Sequence, residues 1–271
     1  MDTLIIEKKN EVYLTVDCDP NVQRELSEFF TFYVPGYKFM PAFRNRMWDG
    51  KIRLFSQKTK EIYFGLFPYI KAFAEEREYH IVCGKDVEVK NKVDKDIVEK
   101  FSNSLGQKFE ARDYQVDAIY HSLKYNRALL LSPTASGKSF IIYALIRYYT
   151  HLIKDETNNR ILLIVTTTPL VEQMYSDFKS YGWNVEKNCH RLYSGYSNQT
   201  DKKVLISTWQ SLYKLPKEYF DQFGVVFGDE AHLFKSKSLT EIMSKLIDCK
   251  YRIGLTGTLD GAQTHKLVLV L

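Results

Sequence analysis

Cysteine is scarce in this chain and never clustered. Its four residues, Cys18, Cys83, Cys189 and Cys249, include no C-x-x-C pair, which argues against both a structural zinc site and a disulfide framework and suits a reducing cytoplasm. No apolar run approaches the roughly 18 residues needed to cross a bilayer. The opening Met-Asp-Thr-Leu-Ile-Ile-Glu-Lys-Lys lacks the arrangement of a signal peptide. Internal repeats and low-complexity tracts are also missing. Net charge is small, +5 over 271 residues, a mild bias towards an anionic partner. Residues 1–100 balance 17 Lys/Arg against 17 Asp/Glu, yet Lys38, Arg44, Arg46, Lys51, Arg53, Lys58 and Lys60 fall close together with only Asp49 against them. Such a run is suited to phosphates, and Tyr37, Phe39, Phe43, Trp48 and Phe55 interleave with it. Those rings could stack bases, although Trp48 and Phe55 read more readily as core.

The apolar content, 45%, suffices for one large or two ordinary domains. Residues 1–84 read as a small α+β unit. It has a strand over Glu11–Asp17, a helix from Asp19-Pro20 to about Phe32, and a hairpin pairing Lys51–Phe55 with Glu61–Phe64. A helix over Pro68–Arg77 and a strand over Tyr79–Cys83 complete it. Residues 85–106, dense in alternating Lys, Asp and Glu, read as a charged linker or solvated helix. From 107 to 271, the apolar runs Ala128–Leu131, Ile161–Val165, Val204–Ser207, Val225–Phe227 and Ile253–Thr256 alternate with helical segments. That alternation predicts an α/β fold, a parallel sheet with helices on both faces and its ligand site at the C-terminal strand ends.

Chemistry gathers at those ends. Ser132-Pro-Thr-Ala-Ser-Gly-Lys-Ser139 follows a strand and opens a helix, close to the Walker A pattern. There the loop N–H groups of Thr134, Ala135, Ser136 and Gly137 wrap phosphates, Lys138 reaches the β/γ-phosphates of ATP, and the Ser139 hydroxyl holds Mg²⁺. The first glycine of the pattern is replaced by Ser132. Phe223–Gly228 runs into Asp229-Glu-Ala-His232, the place for a Walker B pair. Asp229 would hold Mg²⁺ through water, and Glu230 would orient and deprotonate the attacking water. His232 reads as a hydrogen-bonding sensor rather than a metal ligand, since no second His or Cys stands at ligand spacing. Together these elements predict ATP hydrolysis.

With both in place, the remaining strings resemble a superfamily 2 helicase motor of the DEAH-box type, over about residues 108–260. Arg112-Asp-Tyr-Gln115 resembles the Q-type motif, which implies Arg112 and Gln115 near the adenine. Thr166-Thr-Thr-Pro-Leu-Val-Glu-Gln173 and Ser207-Thr-Trp-Gln210 resemble the two motifs that grip a nucleic-acid backbone, implying contacts from Thr168, Gln173, Thr208 and Gln210. Thr256-Gly-Thr258 resembles motif III, implying that Thr256 and Thr258 couple hydrolysis to domain movement. Residues 35–55 are similar to the N-terminal module of the UvsW-type recombination helicases of T4-like phages.

The resemblance implies a RecA-like lobe behind a nucleic-acid-binding module whose Arg44, Arg46, Lys51 and Arg53 meet phosphates. It implies ATP-driven remodelling of branched DNA, such as junction migration, fork regression or unwinding of DNA–RNA hybrids. It also implies a second RecA-like lobe in cis, which is expected to follow residue 271 and to be needed for turnover. Two other readings compete: a non-catalytic nucleic-acid-binding module with a vestigial nucleotide site, and the motor subunit of a restriction-type nuclease. The intact set Lys138, Ser139, Asp229 and Glu230 weighs against the first. The lack of a paired-carboxylate nuclease centre in residues 1–106 weighs against the second.

Overall fold

The computed structural model describes residues 2–34, 36–88, 90–133, 136–231 and 237–257. Thr134, Ala135, His232 and Thr258, assigned roles above, lie outside the described residues. The chain divides into two compact units, Met1–Glu88 and Val89–Leu271.

In the first unit, β1 (Thr3–Lys8) and β2 (Tyr13–Asp17) form a hairpin whose turn is closed by the Asn10 side chain, which accepts from Val12 N and Tyr13 N. Alternation places Leu4, Ile6, Leu14 and Val16 inside. Helix α1 (Pro20–Phe29) starts on a proline, whose missing N–H costs nothing at a first turn, and buries Val22 and Leu26. β3 (Thr31–Tyr33) follows, then a short helix α2 (Pro41–Arg44), β4 (Lys51–Arg53), β5 (Phe55–Ser56), β6 (Glu61–Tyr63), α3 (Phe67–Glu76) and β7 (His80–Cys83). The sheet order is β5-β6-β2-β1-β7, with only β1 and β7 parallel.

The expected hairpin is corrected in one respect. Lys51–Arg53 does not pair with Glu61–Tyr63; β6 pairs with the two-residue β5, while β4 pairs antiparallel with β3, Phe32 opposite Ile52. Leu54 and Phe55 are buried whereas Ile52 is exposed. The strand therefore changes partner where its inward residues change sides.

The second unit opens with α4 (Lys95–Asn103), capped by the Asp94 carboxylate on Asp96 N and Ile97 N. The charged segment at 85–106 does not stand apart from a domain: Val98 and Leu105 join the core of this unit, and the break falls at 88/89. Then come α5 (Asp113–Lys124), β8 (Arg127–Leu131), α6 (Lys138–Leu152), β9 (Arg160–Val165), α7 (Thr168–Ser180), α8 (Val185–Asn188), β10 (Cys189–Leu192), β11 (Val204–Thr208), α9 (Trp209–Tyr213), β12 (Phe223–Asp229), α10 (Lys237–Lys245) and β13 (Tyr251–Thr256). The six strands run parallel in the order β10-β11-β9-β12-β13-β8.

Alternate residues of β9 divide between two cores. Ile161, Leu163 and Val165 pack with α5, α6 and α7, and Leu162 and Ile164 with α9 and α10. Helices thus cover both faces, and every C-terminal strand end opens on one edge. Helix α6 is buried from Phe140 through Ile146, as befits the helix that carries the loop out of the sheet.

Candidate nucleotide site

Strand order brings the ends of β8, β13 and β12 side by side. The loop leaving β8 is tied to β13 by Ser132 N, which donates to Thr256 O at 2.8 Å. The Ser132 and Ser136 hydroxyls lie 2.5 Å apart, and Ser136 also donates to Pro133 O. Serine in the first glycine position thus closes the loop on itself.

Gly137 ends the loop in the left-handed region, φ 78°, immediately before α6. A Cβ there would overlap the Gln115 amide nitrogen, so both backbone and space call for glycine. Gln115, buried in α5, donates from Nε2 to Ser136 O at 3.0 Å and accepts Arg112 N at 3.0 Å. Tyr114 donates its hydroxyl to the same Ser136 carbonyl, and Arg112 donates to the Tyr114 oxygen. Arg112, Gln115, Ser136 and Gly137, placed together by sequence reading, are therefore one bonded assembly. Tyr114 belongs to it as well and was not singled out by the sequence. A cleft of about 460 Å³ opens beside the loop, walled by Tyr114, Ala118, Leu130, Ser132 and Ser136.

Lys138 Nζ lies 2.7 Å from Glu230 Oε1, across the end of β13. Asp229, the last residue of β12, is 3% exposed. Glu230 follows in the left-handed region, φ 53°, a conformation that costs a non-glycine residue about 1 kcal/mol or more. This turn aims its carboxylate at the lysine rather than along the strand.

Ser139 Oγ lies 2.9 Å from the Tyr181 hydroxyl and also bonds the Asp177 carboxylate, whose pKa burial raises and this bond lowers. Tyr181 packs edge-on to Phe109 and Phe140. Neither Asp177 nor Tyr181 was marked by sequence reading, since both lie at the far end of α7 and belong to no motif. The hydroxyl of Ser139 and the carboxylate of Asp229 are hard oxygen donors, few in number, and this donor set fits Mg²⁺, which keeps most of its water.

The residues assigned to a nucleic-acid backbone fall on the same edge, at the ends of the neighbouring strands β9 and β11, where Thr208 pairs with Val165. Thr168, at the first turn of α7, is exposed, as are Gln173 and Gln210. Thr208 is buried, and its hydroxyl lies 3.1 Å from that of Ser211. Thr256 is fully buried and serves the loop through its carbonyl. In the first unit, Arg44 and Arg46 are exposed and carry no ion pair among the described residues. Lys51 Nζ sits 5.0 Å over the Tyr33 ring. Arg53 is bonded to Asp49, which lowers that carboxylate's pKa through the bond itself.

Comparison with known proteins adds a lineage. Residues 108–261 match the family described as type III restriction enzyme, res subunit, and residues 6–84 match that described as DNA helicase UvsW, N-terminal. The chain is 34% identical over 256 residues to the ATP-dependent DNA helicase uvsW of Enterobacteria phage T4, an alignment covering 91% of this chain and 50% of that protein. It is 27% identical over 158 residues to the DNA 3'-5' translocase XPB2 of Sulfurisphaera tokodaii, covering 57% of this chain and 32% of that protein. A crystal structure of the UvsW helicase from bacteriophage T4 superposes with a TM-score of 0.89 at 32% identity, covering 100% of this chain and 97% of that one. The chain spans about half the length of the curated T4 helicase.

Proposed function

The chain belongs to the UvsW-like helicases, and on that premise we propose that it is the nucleotide-binding and DNA-gripping part of an ATP-driven motor that remodels branched DNA. The observation that carries the reading is the Lys138–Glu230 pair at 2.7 Å, which puts a phosphate-seeking cation and a general base on opposite sides of one small space.

ATP would lay its phosphates along the loop N–H groups and draw Lys138 onto the β/γ-phosphates. That would release the Glu230 carboxylate to orient the attacking water and take its proton. Mg²⁺ held by Ser139 and Asp229 would supply neutralising charge to those phosphates. Asp177 accepts the hydrogen bond of the Ser139 hydroxyl, so the Tyr181 hydroxyl donates into one lone pair of that oxygen and the other would remain for the metal, the role of orienting partners behind a ligand. Arg112, Tyr114 and Gln115 would face the adenine, with Tyr114 and Leu130 offering an apolar wall. A second RecA-like lobe in cis would supply the arginine that such motors bring to the transition state, a contribution of roughly 10³–10⁵ in rate.

DNA would be held in two ways. Thr168, Gln173 and Gln210 would grip one strand at fixed geometry, with Thr208 positioning α9 from beneath. Arg44, Arg46 and Lys51 would supply most of the long-range attraction. Arg53 would contribute less, because Asp49 already holds it. Such contacts read the backbone and carry no sequence information. Titrating the chain with a fluorescent ATP analogue and Mg²⁺ tests the nucleotide half: binding should vanish in Lys138→Ala and persist in Glu230→Gln. Equal binding by Lys138→Ala and the parent would refute it. Preference for DNA–RNA hybrids is tested by competition between hybrid and DNA forks.

A further inference from the structure

The helix that opens at the phosphate loop and the end of α7 meet at one hydroxyl. Asp177 and Tyr181 stand four residues apart and so share a face where α7 ends. Ser139, in the first turn of α6, meets both: its Oγ lies 2.9 Å from the Tyr181 hydroxyl and bonds the Asp177 carboxylate. Tyr181 does not depend on the serine for its place. Its N–H donates to Asp177 O at 3.0 Å, and its carbonyl accepts from the Tyr143 hydroxyl at 3.4 Å. Arg147 donates to that same Tyr143 hydroxyl at 2.7 Å. The Tyr181 ring packs 5.1 Å from that of Tyr143 and edge-on to Phe109 and Phe140 at 5.9 and 5.7 Å. Burial, the largest influence on it, raises the Tyr181 pKa above the ordinary phenol value, which keeps this group a donor at neutral pH.

A serine hydroxyl has one proton and two lone pairs. Here the proton goes to Asp177, Tyr181 donates into one lone pair, and one lone pair is left. The two partners pull on that oxygen in opposite senses. An acceptor of the proton pushes electron density onto the oxygen and makes it a better ligand, whereas a donor to the lone pair withdraws density from it. We infer that Asp177 and Tyr181 are positioning residues of opposite sign for the Mg²⁺ that accompanies the nucleotide: Asp177 strengthens the hold of Ser139 on the ion, and Tyr181 weakens it. The inference rests on the reading of Ser139 as a metal ligand, and it adds what sets the strength of that ligand. A hydroxyl given the carboxylate alone would hold the ion more tightly and release it, with the spent nucleotide, more slowly. Neither residue belongs to a motif, so this tuning is separate from the loop that receives the phosphates.

The test is a Mg²⁺ titration of the chain with a fluorescent ATP analogue, read as the half-saturating Mg²⁺ concentration, beside a titration of the analogue in EDTA. Asp177→Asn keeps the shape and removes the charge. It should raise the half-saturating concentration roughly 10- to 100-fold, the usual loss when a partner behind a ligand is changed. Tyr181→Phe keeps the ring and its packing, and should lower that concentration roughly 2- to 10-fold, the worth of one net hydrogen bond. Metal-free binding should stay as in the parent for both, and Asp177→Glu, which restores the charge, should recover part of the loss. A merely structural role would move both variants in the same direction or shift metal-free binding equally, and either result would overturn the inference. If Ser139→Ala raises the half-saturating concentration while the other two variants leave it unchanged, the serine stands as the ligand and its partners do not tune it. If Ser139→Ala changes nothing, the ligand reading itself fails and the inference with it. Should Asp177→Asn fail to fold, the direction taken by Tyr181→Phe decides alone.

Discussion

Gly137→Ala probes the brace between α5 and the phosphate loop. The substitution places a side chain on a residue at φ 78°, which costs about 1–2 kcal/mol. It also pushes Gln115 off Ser136 O and Arg112 N, and two net hydrogen bonds are worth about 1–3 kcal/mol together. The expected loss is therefore about 2–5 kcal/mol for the second unit. Gln115→Ala alone forfeits the same two bonds but leaves the backbone at ease, so it should cost about 1–3 kcal/mol. The double variant has no amide left to displace and should be no less stable than Gly137→Ala.

Urea unfolding followed by tryptophan fluorescence measures this, in a Trp48→Phe background. The remaining Trp183 and Trp209 both lie in the second unit. If the two single losses simply add in the double variant, the two residues do not act as one brace.

Other predictions follow the same logic. Glu230→Gln in a chain carrying both motor lobes should bind Mg·ATP yet turn it over at least 10²-fold more slowly, as expected when a general base is lost; unchanged steady-state ATPase would reject the assignment. Arg44→Ala/Arg46→Ala/Lys51→Ala should flatten the salt dependence of junction binding by roughly two units, each phosphate contact carrying about 0.7–0.9, as read by fluorescence anisotropy. Arg252, 2% exposed, donates to the carbonyls of Cys249, Met243 and Leu246 behind α10. Arg252→Met should cost about 2–4 kcal/mol in urea unfolding, because buried acceptors lose their donor. Burial pushes the Cys189 thiol up to about 12 and leaves Cys83 exposed. A thiol reagent at pH 8 should therefore label Cys83 first and reach Cys189 only on unfolding.

The strands of the second unit were legible because a parallel sheet buried on both faces reads as unbroken apolar runs. Ile161–Val165 and Val225–Phe227 are such runs, and both are buried throughout. β10 escaped because Cys-His-Arg-Leu at the sheet edge buries only its two ends. The partner switch at Leu54 escaped for a different reason: Lys51–Phe55 carries the alternation of a single strand, and only tertiary packing divides it. In the candidate site, residues within motifs stand out by their spacing. Asp177 and Tyr181 do not, because they stand four and eight residues beyond Gln173, where the motif ends, and no spacing rule ties them to the serine they hold. Spacing also does not reveal burial: Thr208, within a motif, is buried with its hydroxyl against that of Ser211.

On the proposed reading of the site, the bond between Lys138 and Glu230 would make the protein a competitor of its own ligand. A phosphate that takes the ammonium must outbid a carboxylate already in place, and each 1.4 kcal/mol of that hold weakens apparent affinity tenfold. The same free energy is returned when the phosphate leaves and the two side chains rejoin. A loop armed in this way gives up tightness of binding in exchange for prompt release, and that exchange favours repeated cycling over long occupancy.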